Sequence, residues 1–77
     1  MTDRNRTAWN VSLWLNNDEP LYRLAQSYAR RIRRGGLTAT QAARDMREAL
    51  PRCTPDGYIY TVPALRAALT DLRRAEC

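Results

Sequence analysis

Apolar positions along the chain fall into successive blocks, each with its own period. In the first, Trp9, Val11, Leu13 and Leu15 alternate with Asn10, Ser12, Trp14 and Asn16, the period-two pattern of a half-buried strand. On a helical wheel the same apolar residues spread around the axis. Trp14 falls on the polar side of that strand, which predicts either a covering segment or a partner contact for its indole. Residues 1–7 are polar and read as a disordered N-terminal arm, leaving 8–77 as a single domain.

The period then changes. Leu21, Leu24, Ala25, Tyr28 and Ile32 recur at spacings of three and four, so one face of a helix is apolar. Asp18 suits its N-cap, Glu19 its positive end and Pro20 its first turn, where a missing N–H costs little. Gly35-Gly36 stops it, because glycine takes the left-handed position after a helix without steric cost. Thr38 and Gln41 have the spacing of a capping box, and Ala39, Ala42, Ala43, Met46 and Leu50 line one side of a second helix that Pro51 ends. The alanines allow the two helices to approach closely across the glycine turn.

Thr54-Pro55-Asp56-Gly57 has turn chemistry, and the aromatic and branched run Tyr58-Ile59-Tyr60-Thr61-Val62 predicts a second strand pairing back on Arg52-Cys53 as a short hairpin. Thr61 or Val62 before Pro63 opens a last helix with Leu65, Ala68, Leu69 and Leu72 on its apolar face. The predicted order is strand, helix, helix, strand in a hairpin, helix. That is a small single-domain α+β fold, a short sheet covered on one face by helices.

Charge adds a location to this outline. The chain has 77 residues with 13 basic and 8 acidic side chains, net +5, and every base is arginine. Eleven alanines with no lysine and no phenylalanine point to GC-rich coding as one cause of that choice. Clustering is a separate matter. Arg30, Arg31, Arg33 and Arg34 fall within five residues, and about 100° per residue puts Arg23, Arg30 and Arg34 in one outward sector, flanked by Arg31 and Arg33. No acidic residue lies four positions before any of the clustered four to relieve their repulsion. Guanidinium forks suit carboxylate and phosphate alike, so the cluster predicts an acidic protein face or a nucleic acid as partner. Tyr58 and Tyr60 are the side chains that would stack on bases in the second case.

No reaction is legible. Histidine is absent, Cys53 and Cys77 show no Cys-x-x-Cys spacing, and Asp18 and Glu19 are accounted for as capping groups. Gly35-Gly36 ends a helix instead of opening one, so it is no phosphate-binding loop. The expectation is a binding protein, not an enzyme, with no metal and no cofactor. Residues 37–46 resemble the first helix of a helix-turn-helix with a wing at 52–60, yet Met46 to Leu50 continues the helical pattern where a turn should fall. Without an apolar signal core or a run of about 18 apolar residues, the chain reads as soluble and cytoplasmic.

The run Trp9-Asn10-Val11-Ser12-Leu13-Trp14-Leu15-Asn16-Asn17-Asp18-Glu19-Pro20-Leu21-Tyr22-Arg23-Leu24-Ala25 resembles one found in small uncharacterised proteins of phages and mobile elements from high-GC bacteria. The likeness extends through Thr54-Pro55-Asp56-Gly57 to the last helix and brings no catalytic residues. Proteins of this kind look like the anti-CRISPR class, which implies stoichiometric binding to a host effector complex in the bacterial cytoplasm. On that resemblance Arg23, Arg30, Arg31, Arg33, Arg34 and Trp14 are the partner-binding residues. The alternative is a small nucleic-acid-binding regulator using the same stripe with Tyr58 and Tyr60.

Overall fold

The computed structural model describes residues 3–75 and the side chains of residues 5–72. Met1, Thr2 and Cys77 lie outside the described residues, as do the side chains of Arg73 and Arg74. Among the described residues four helices follow one another: α1 (Asp3–Asn17), α2 (Glu19–Arg33), α3 (Ala39–Ala49) and α4 (Val62–Ala75).

The architecture is all-α, which corrects the expected α+β fold at both predicted strands. Residues 9–16 lie inside α1, and that helix begins at Asp3, within the stretch read as a polar arm. A strand at 9–16 needs a ladder partner, and the extended segment 52–60 pairs within itself through Cys53 and Ile59. A helix satisfies its backbone internally, and no glycine or proline interrupts residues 3–19. Ala8, Val11 and Leu15 share one side of α1 and reach the core, with Val11 and Leu15 wholly buried. The alternation has a different origin: Trp9 and Leu13 form a second apolar stripe, about 160° from the Val11–Leu15 stripe at 100° per residue.

At the second predicted strand the chain is extended, yet the pairing is one isolated antiparallel bridge between Cys53 and Ile59. Thr54 N–H donates to Tyr58 C=O at 2.7 Å and Tyr60 N–H to Arg52 C=O at 3.2 Å. Nothing continues the ladder, because Pro51 and Pro55 flank one side and Val62 already enters α4. Tyr60 turns inward and is 1% exposed, filling the core as a plug.

Local signals at the other helix ends act as their chemistry dictates. Asp18 alone separates α1 from α2: its N–H donates to Trp14 C=O, its C=O accepts from Tyr22 N–H, and its carboxylate accepts from Leu21 N–H at 3.4 Å. Thr38 and Gln41 form the capping box of α3, at 3.1 and 3.0 Å. Thr61 caps α4, its hydroxyl accepting from Ala64 N–H at 3.2 Å.

α4 is the central element. It packs against α1, α2 and α3, whereas α1 and α3 make no backbone approach to each other among the described residues. Leu65, Leu69 and Leu72 of α4 meet Val11 and Leu15 of α1, Ala25 and Ala29 of α2, and Ala42, Ala43 and Met46 of α3 in one core cluster. No helix among the described residues is long and apolar enough to cross a membrane.

Candidate functional site

The arginine-rich end of α2 is built by the apolar face behind it. Ala25 and Ala29 are wholly buried, and Leu21, Leu24, Tyr28 and Ile32 pack against the core, which turns the opposite face to solvent. Arg23, Arg30, Arg31, Arg33 and Arg34 are all exposed there, as the wheel predicts.

The end of α2 is closed by backbone hydrogen bonds. Arg34 N–H donates to Arg30 C=O, Gly35 N–H to Ile32 C=O and Gly36 N–H to Arg31 C=O, each at 3.0 Å, with Gly35 at φ 80°. This is a Schellman closure, and it satisfies carbonyls that cationic side chains would otherwise cap. Favourable charge–dipole interaction remains, about 0.3–1 kcal/mol per exposed cation, offset by repulsion of about 0.2–0.5 kcal/mol between Arg30 and Arg34 one turn apart.

Two neighbours shape the cluster. Arg31 lies over the Tyr28 ring, 5.3 Å from its centroid, a cation–π contact worth about 0.5–1 kcal/mol at an exposed position. Arg23 pairs with Glu19 one turn earlier, both largely exposed. The i,i+4 spacing of Glu19 and Arg23 carried that signal in the sequence. Such a pair contributes only about 0.2–1 kcal/mol, so a stronger anion displaces Glu19 readily. Among the described residues no carboxylate pairs with Arg30, Arg31 or Arg34.

The remaining sequence-derived candidates separate from this surface. Trp14 spends its indole N–H inside the molecule, donating to Asp56 Oδ2 at 2.9 Å. Asn10 Nδ2 donates to the same oxygen at 2.8 Å, while Asn10 Oδ1 accepts from the Thr54 hydroxyl at 2.7 Å. Thr54 Oγ1 in turn accepts from Tyr58 N–H at 3.2 Å. The two donors at Asp56, first Asn10 and then Trp14, hold its carboxyl below the ordinary range. This network fastens α1 to the 54–58 turn, and sequence reading missed it because its partners lie 42 to 46 residues apart. Tyr60 is in the core, with its hydroxyl pushed up by burial and then by the charges of Asp18 and Cys53. Tyr58 is half-buried, so the two tyrosines offer no paired stacking surface.

A cleft of about 460 Å³ opens between the first turns of α1 and α4, lined by Asn5, Thr7, Ala8, Pro63, Ala64 and Ala67 with Thr61. Its described lining holds no ionisable side chain and none of the arginines. α3 presents Arg44, Asp45, Arg47 and Glu48 outward and runs unbroken to Ala49, so no recognition helix begins near Met46.

A family of unknown function, DUF7249, matches residues 3–73, a span that takes in α1, α2 and α3 and nearly all of α4. The chain belongs to the DUF7249 family. No curated protein and no solved structure matches it. Within this DUF7249 member, α2 brings Arg23, Arg30, Arg31, Arg33 and Arg34 onto one surface, whereas Trp14, Tyr58 and Tyr60 are held elsewhere by internal contacts.

Proposed function

We propose that this DUF7249 member acts by stoichiometric binding, docking the arginine end of α2 on an acidic protein face, in the manner of a phage-type inhibitor of a host defence complex. The observation that supports this reading is the arginine cluster itself: exposed guanidinium groups gathered at a helix end whose carbonyls the backbone already caps. Charges grouped in that way cost repulsion, and a carboxylate-lined partner removes the cost while adding bidentate hydrogen bonds. Burial of Tyr60 favours a protein partner over a base-stacking one.

The test is co-purification of the full chain with a candidate effector complex, with and without nuclease, followed by Arg30→Glu with Arg34→Glu. Both positions are exposed, so the core is untouched; removing two favourable charge–dipole interactions and adding two unfavourable ones costs about 1–4 kcal/mol, partly offset by relief of the Arg30–Arg34 repulsion, and a far-UV spectrum checks that the variant is folded. Binding weakened more than about tenfold in the nuclease-treated sample is the expected result. Undiminished binding by the folded variant removes the arginines from the mechanism, and capture that vanishes with nuclease moves the reading to nucleic acid.

A further inference from the structure

The seam between α3 and α4 carries a second group of bases. Two open hollows of about 470 and 300 Å³ lie along it and meet at Val62: Arg44, Arg47 and Glu48 line the first, Thr40, Pro63 and Arg66 the second. The described lining of both excludes the α2 arginines.

Charge on α3 is sorted across this seam. At about 100° per residue Arg47 sits about 60° to one side of Arg44 and Asp45 about 100° to the other, so the bases border α4 while Asp45 turns away. Glu48 is the one carboxylate in the described lining, and among the described residues it pairs with none of the three guanidinium groups. Arg44, Arg47 and Arg66 are all exposed. Three cations against one carboxylate leave the seam positive, and the first turn of α4, which begins at Val62, adds its positive end.

We propose that the α3–α4 seam holds the phosphate backbone of a nucleic-acid duplex. The chemistry of the lining selects that occupant. A protein partner needs a large apolar anchor at the centre of its contact, and the described lining offers none beyond Val62. A free nucleotide needs an enclosed base pocket, and no aromatic side chain is in the described lining of either hollow. A phosphate strand requires neither, because charge alone holds it. Spacing agrees with this. Arg66 shares its hollow with Thr40, and Thr40 and Arg47 are seven residues apart on α3, about 10 Å, the length of about three phosphates along one strand at roughly 3.4 Å each. The Thr40 hydroxyl is a neutral donor of the kind that positions phosphates. Such an arrangement touches no base edge, so binding is independent of sequence. This inference goes beyond the α2 reading, and either can fail without the other.

Fluorescence anisotropy of a labelled DNA duplex of about 20 base pairs and mixed sequence, titrated with the full chain between about 50 and 200 mM salt, tests it. Three phosphate contacts predict a slope of log K against log salt of at least about −2.7 in size, at about −0.9 for each contact. Arg44→Gln, Arg47→Gln and Arg66→Gln together should weaken binding more than about tenfold at the lower salt and flatten that slope by about the same amount. Arg30→Gln, Arg31→Gln and Arg34→Gln together remove the same charge from α2 and should cost less than about threefold. All six positions are exposed, and matching far-UV spectra check that both triple variants are folded. No binding at about 50 mM salt, or a seam variant that binds no more weakly than its α2 counterpart, overturns the proposal. Equal affinity for a polyglutamate peptide of matched charge overturns the choice of phosphate.

Discussion

Asn10 is the residue on which the attachment of α1 to the 54–58 turn depends. It is 4% exposed, and both ends of its amide are used, the oxygen by Thr54 and the nitrogen by Asp56. Replacing Thr54 by Val keeps the volume but leaves a buried acceptor on Asn10 and a donor on Tyr58 unmet, which should lower stability by about 1–3 kcal/mol in urea denaturation. For a domain of this size that corresponds to about 4–8 °C in Tm per kcal/mol. Asp56 adds a pH dependence. Its folded pKa is depressed, so its contribution is present in full above the ordinary carboxylate value of about 3.9 and is lost as pH falls through the lower folded value. Asp56→Asn should flatten that acid limb of the stability profile, and Trp14 fluorescence, read in a Trp9→Phe background, reports the loosening. Tyr60 acts at the other end. Its folded pKa is raised, so its share of stability is intact below about pH 10 and is lost as pH rises from there, a limb that Tyr60→Phe should remove.

At the scale of elements, helix ends were legible because their chemistry is local. Asp18, Thr38 with Gln41, and Gly35 each act within three or four residues, and each does in the structure what its side chain or lack of one dictates. Gly35→Ala tests this at one position. A Cβ there meets nothing within 4 Å, so the cost is backbone strain alone at φ 80°, about 1–2 kcal/mol by thermal denaturation. α1 was illegible for the converse reason. Its alternation is two apolar stripes on one helix, and periodicity cannot distinguish that from a strand when the second stripe faces outward. The run 58–62 misled differently: its residues are extended and β-prone, but whether a ladder forms depends on neighbours, and here Tyr60 is drawn into the core. On α2 the exposure of the arginine stripe was readable from 3.6-residue geometry, while the isolation of Trp14 and Tyr60 from it depended on contacts distant in sequence.

Across the whole molecule, burial and charge are divided between helices. α4 carries the core for the other three, so Leu69→Ala, at a wholly buried position, should cost about 2–5 kcal/mol, a large share of what a small domain has. α2 carries charge, and no core position changes when its outer face does. The central claim is that this outer face is where a protein partner docks. Affinity of the nuclease-treated effector complex for the chain and for its Arg30→Glu with Arg34→Glu variant, measured by calorimetry at two salt concentrations, tests it most directly. The account predicts a loss of more than about tenfold in the variant together with a weaker salt dependence. Equal affinities and equal salt slopes for the two proteins, with the variant fully folded, would contradict it.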